Sequence, residues 1–214
     1  MQMVDRVPDW VTPVAWIYIA LSVAAAAWIA LDVRRDRRRH ASVASELVWV
    51  ASGLYLGPFA VPLHRRRGRD DATTSAAVAG LPGGGASAVA HLVGVPLVLL
   101  SGLTIAGIDL WVMIIVIGII AMLLLFAYER AATPAGAATT GPGRAAVAAV
   151  VTVLAFDVGM GGWMLLLHVT EYMPPATEGS FWFLMQVGII LGLVTGYPAV
   201  RWLQRQRLAA TPAV

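Results

Sequence analysis

A chain of 214 residues with a net charge of +3 is long enough for one or two soluble domains, but 59% of it is hydrophobic and only 13% is charged. Ordinary globular chains carry about a quarter charged residues, so a mean hydropathy of +0.77 leaves too little polar surface to cover this one in water. Cysteine and lysine are both absent, which excludes disulfides, thiolate metal sites, iron–sulfur clusters, Schiff-base chemistry and a P-loop.

Six apolar runs follow in chain order. Residues 10–33 form the first span; no basic stretch precedes it, so a cleaved signal peptide is not expected. The basic run RRDRRRH comes next, and then a second apolar stretch over 42–63, with Gly57 and Pro58 inside it. After HRRRGRDD, residues 68–87 read as a flexible linker, with Gly83, Gly84 and Gly85 as its joint. Spans over 88–106 and 109–130 are joined by a tight turn at Gly107. A loop rich in Ala, Thr and Gly leads to a span over 145–168, and an acidic loop leads to the last, over 180–203. Each run approaches the roughly 20 residues a helix needs to cross the hydrocarbon core. No alternating run suggests a barrel strand. The fold class is therefore an all-α integral membrane protein, one domain built as a bundle of five or six transmembrane helices in contact with the lipid bilayer.

All fifteen basic residues are arginine, and the sequence pI is about 9.8. They sit beside apolar runs, as the positive-inside rule would have them, so nucleic acid is not an expected partner. If all six runs cross, five arginines fall on one side and ten on the other. If 42–63 enters and leaves on one face, only Arg6 lies outside and fourteen are cytoplasmic. That bias favours five crossings of the cytoplasmic membrane, with the N-terminus outside and the C-terminus inside. Six crossings with the N-terminus inside is the alternative.

Polar residues inside a membrane are costly, and each is a candidate site. Asp157, Met160, Met164 and His168 are spaced 3, 4 and 4, which sets them on one helical stripe. Met113 and Met185 fall in the same outer half. Thioether and imidazole donors without thiolates suit Cu(I), so Asp157, Met160, Met164, His168 and Met185 are candidate metal ligands and copper the candidate cofactor. Packing is the competing role, since methionine at helical spacing commonly fills cores. His91 and His168 lie toward opposite ends of parallel spans, so a haem shared between them is not expected. Gly188, Gly192 and Gly196 form a small-residue stripe that permits close helix approach, and Gln186 is expected to bond a neighbouring helix. The chain shows no nucleophile–base pair or nucleotide loop, and no catalytic activity is expected.

The run AFDVGMGGWM, followed by FWFLMQVGIILGLVTGYPAVRWL, resembles the closing segment of the bacterial membrane family called domain of unknown function 4396. LVWVASGLYLGPFAVPLHRRRGR is similar to its second segment. The resemblance implies a multi-helix cytoplasmic-membrane protein without an established activity. Members commonly carry His-Cys…Gly-Cys…Gly-Asp at the third span, which looks like a soft-metal site. Here His91 stands alone, without the cysteines or the aspartate. Asp157, Met160 and Met164 do match the family pattern. Two functions follow as expectations: handling or transport of a soft metal ion such as copper, or service as a structural subunit packed against a membrane protein partner or a second copy.

Overall fold

The computed structural model describes residues 7–35, 42–66, 72–132, 141–206 and 208, and for 72–77 the backbone alone. Most of the two basic runs, residues 68–71 of the expected linker and the loop over 133–140 lie outside the described residues. Every regular element is helical: α1 (Val11–Arg35), α2 (Val43–Leu56), a 3₁₀ turn (Gly57–Phe59), α3 (Ala60–Arg65), α4 (Ala72–Ser101), α5 (Asp109–Ala131), α6 (Pro142–Val169) and α7 (Gly179–Arg205). Lipid offers backbone groups no water, so helices that satisfy their own hydrogen bonds are the natural solution for a chain this apolar. Six segments, counting Val43–Arg65 as one, are long and apolar enough to cross a membrane. This is a multi-pass membrane protein with an all-α bundle.

Helices α4, α5, α6 and α7 pack as a ring, each against the next and α7 back against α4, while α4 and α6 meet only marginally across it. α1 and α2 lie on one flank of the ring, against α4 and α7. Between α4 and α5 the chain turns at Gly107, at φ 77°, next to an Ile105–Ile108 bridge.

Two segments depart from a plain spanning helix or loop. The first is Val43–Arg65, which does not run straight. α2 descends antiparallel to α1: a Cβ at Gly53 would lie 2.6 Å from Ala26 Cα, and one at Gly57 would lie 3.0 Å from Ser22 Oγ and from the Tyr18 ring. A straight continuation would carry His64 toward the start of α1, about 22 Å beyond Trp49. Instead the His64 ring lies 5.1 Å from that of Trp49 and 6.1 Å from that of Trp28, and Nε2 donates to Asp32 Oδ2 at 3.0 Å. The segment is a hairpin that returns to the Arg35 end of α1.

The hairpin turns where Gly57 adopts φ 56°, a conformation that favours glycine. In an unbroken helix the Leu54 carbonyl would accept from residue 58, but Pro58 has no N–H. Gln186 of α7 supplies the donor, its Nε2 lying 2.6 Å from Leu54 O and 3.4 Å from Ser22 Oγ. Tyr18 Oη donates to the next carbonyl, Tyr55 O, at 3.3 Å. The expected interhelical bond of Gln186 is thus present, and it closes the gap that Pro58 opens.

The second segment corrects a sequence expectation. Residues 72–87 are not a flexible linker but the first half of α4, which is continuous to Ser101. Gly83, Gly84 and Gly85, which read as a joint, are packed against neighbouring helices, the last two of them buried. A Cβ at Gly83 would meet Thr152 of α6 at 3.4 Å, one at Gly84 the Tyr55 ring at 2.6 Å, and one at Gly85 Ala51 at 3.3 Å. Tyr55 Oη also donates to Leu81 O at 3.3 Å. Glycine weakens helices in water through backbone entropy and exposure. In a desolvated bundle close approach outweighs that cost, and three consecutive glycines let α4 touch α2 and α6 together.

Single cysteines are clean probes in a cysteine-free chain. Cysteines placed at 38 and 68 are expected to react with an impermeant maleimide from the same side of the membrane. Reaction from opposite sides would contradict the hairpin. Gln186→Leu, which strips the Leu54 carbonyl of its donor, is expected to cost about 1–2 kcal/mol, read as a lowered unfolding midpoint in detergent; an unchanged midpoint would show that the contact contributes nothing.

Candidate functional site

The seam between α6 and α7 sets the register of the methionines. Met160 packs its Sδ over Gly188, Phe156 lies against Gly192, and Trp163 Nε1 donates to Leu184 O at 2.9 Å. This antiparallel register puts Met164 opposite Met185. The glycines are why the helices approach so closely: a Cβ on Gly192 would lie 2.5 Å from the Phe156 ring, and one on Gly159 would lie 2.6 Å from the Leu191 carbonyl. Gly196 is the loose end of the stripe, with 3.7 Å to the Phe156 backbone. Trp163 serves as a strut across this seam.

Met160, Met164 and Met185 are almost wholly buried and, with Met113 of α5, belong to one continuous apolar core. Asp157 and His168 are half-buried. The carboxylate of Asp157 lies against Gly118 of α5, where a Cβ would be 3.4 Å from Oδ2. His168 lies in the last turn of α6. The stripe is therefore divided. Its two methionines are buried, and Asp157 and His168 lie beside them at the half-buried margin of the same face. Among the described residues no three His, Asp, Glu or Cys side chains converge as a metal-binding group. A metal here would have to rely on thioethers.

One residue emerges that spacing alone did not single out. Because α4 starts at Ala72, His91 lies deep in the helix rather than at the start of a span, and it is 3% exposed. Its Nδ1 lies 2.8 Å from Ser87 O. A carbonyl only accepts, so Nδ1 carries the proton, and in the neutral ring Nε2 is left with a bare lone pair. That Nε2 is buried and has no hydrogen-bond partner among the described residues. A ring fixed by a backbone carbonyl on one nitrogen and open on the other is the arrangement found at histidine metal ligands. In the sequence, the resemblance marks His91 only as the remnant of the family's His-Cys pattern, and the Ser87 carbonyl gives no signal, since any residue at that position would have provided it.

The family model described as domain of unknown function (DUF4396) matches residues 74–208. The match covers α4 to α7, with His91, Asp157 and all the core methionines. The hairpin, including the stretch from Leu47 that resembles the family's second segment, lies outside it. No curated protein and no solved structure matches the chain.

Gly192→Leu is expected to force α6 and α7 apart and destabilise the protein by about 1–3 kcal/mol. Gly196→Ala, which finds ordinary contact distances, is expected to be near neutral. Thermal unfolding in detergent reads both, and equal midpoints for the two variants would place the seam elsewhere.

Proposed function

The chain belongs to the family of the domain of unknown function 4396, and we propose that it is a non-enzymatic protein of the cytoplasmic membrane that holds a soft cation, Cu(I) first, within its four-helix ring. The observation that carries this reading is the bare Nε2 of buried His91. A lone acceptor deprived of water costs free energy unless something occupies it. Imidazole and thioether are neutral, polarizable donors, and without thiolates they suit Cu(I). They also suit a bundle interior, where a monovalent ion brings less charge to be compensated than a divalent one. Met160, Met164 and Met185 supply thioethers from two facing helices, with His168 and Asp157 at the edge of the same face. Asp157 offers a negative charge, or a proton site, against α5.

Orientation forms part of the proposal. The hairpin returns both of its ends to the Arg35 end of α1, so the arginine count of fourteen against one applies. The chain then crosses five times, with the N-terminus outside and the C-terminus in the cytoplasm.

Cu(I) titration of the detergent-purified protein under reducing conditions tests the site. Wild type is expected to bind, with His91→Gln and the pair Met164→Leu/His168→Ala each weakened tenfold or more at unchanged thermal stability. The Met164→Leu change nearly conserves volume, so a pure packing role would leave binding untouched. Equal binding in all three proteins, or none in wild type, would remove the metal and leave a packing subunit of a larger membrane assembly as the reading.

A further inference from the structure

The hairpin has a consequence at the membrane surface that does not depend on any metal. If Val43–Arg65 crossed, the arginines that end α1 and those that end α3 would lie on opposite sides of the bilayer. Folded back, α3 delivers Arg65 and Arg66 to the end of α1 that carries Arg34 and Arg35. The juxtaposition is tight: the Arg65 guanidinium stacks 4.8 Å above the Trp28 ring, and His64 bonds Asp32. All four arginines are exposed, and none has an ion pair with a described residue. Asp32, the acidic residue of α1 nearest to them in sequence, bonds His64 through Oδ2. Glu46, in the first turn of α2, is the other described acidic side chain on these three helices.

Below the arginines the α1 surface is apolar and open. Ala27 and Leu31 are exposed, and Trp28 is half-buried under Arg65. Four guanidiniums therefore sit above an apolar strip at the level where a helix leaves the bilayer. Guanidinium groups pair with phosphate oxygens in bidentate geometry, and basic clusters immediately beyond a membrane helix attract anionic headgroups. We infer that the joined ends of α1 and α3 form a binding site for an anionic phospholipid, its phosphate against Arg34, Arg35, Arg65 and Arg66 and an acyl chain along Ala27 and Leu31.

The inference is tested on the full chain by native mass spectrometry with phosphatidylglycerol and phosphatidylcholine, and by unfolding midpoints in detergent supplemented with each. Phosphatidylglycerol is expected to be retained and to raise the midpoint, and phosphatidylcholine is not. Each arginine at a membrane surface is worth roughly fivefold in affinity for anionic lipid, so Arg34→Gln/Arg65→Gln is expected to weaken retention by more than tenfold. Arg201→Gln/Arg205→Gln, at the end of α7, removes the same charge elsewhere and is expected to leave it within a few-fold of wild type. If the first pair fails to fold, Arg34→Gln and Arg65→Gln singly carry the comparison, at about fivefold each. Inorganic phosphate at millimolar concentration is expected not to displace the lipid; displacement would show a free-anion site instead. Equal retention of both lipids, or equal losses in the two arginine pairs, would overturn the inference and leave only a diffuse basic surface.

Discussion

Pro58 cannot donate a hydrogen bond, and Leu54 is the residue left holding the unused carbonyl. In water such a gap would be filled by solvent. In a bundle surrounded by lipid it must be filled by protein or not at all, and Gln186 reaches across from α7 to fill it. Tyr18 does the same for the next carbonyl along. Those two contacts tie α1, the hairpin and α7 into one unit at the depth where the chain reverses. With the turn held, α3 can return along α1, His64 can reach Asp32, and the flank of the ring is covered.

Glycine does the complementary work inside the ring. Along α4 three glycines meet three different neighbours, and along α7 Gly188 and Gly192 receive Met160 and Phe156. Between lipid-facing helices there is little hydrophobic driving force for association, so stability depends on how closely backbones and side chains can be brought together. A chain with large residues at these positions would keep its hydropathy and lose its packing.

Much of this was legible in the sequence, and the exceptions have physical causes. The spans that became α1, α5, α6 and α7 agree with the structure to within three residues, because length and apolarity are what the bilayer selects. The hairpin was legible through the one-sidedness of the arginines and the break at Gly57 and Pro58. The first half of α4 was not. Gly83, Gly84, Gly85 and Pro82 are breakers by rules learned in water, and nothing in a single chain says that Tyr55 and Thr152 will close around them. At the candidate site, spacing correctly put Met160 and Met164 on a common face with Asp157 and His168. It could not say which of the four would be buried and which would lie at the margin. His91 was obscured by the same error that hid α4: at the start of a span a histidine reads as a boundary residue, whereas twenty residues into a helix it is a polar group in the core.

The bond from Gln186 to Leu54 joins residues 132 positions apart, and that separation orders the assembly of the molecule. When the hairpin leaves the ribosome its cap has not been made, and α4, α5 and α6 must all be synthesised before α7 presents Gln186. Through that interval the reversal is held first by α1, through the Tyr18 hydroxyl, and then by α4, where Leu81 O accepts from Tyr55. The flank is then the last part of the protein to reach its final form, and chains that stop short of α7 leave the ribosome with an uncapped carbonyl in the membrane, a mark by which quality control could distinguish unfinished molecules from complete ones.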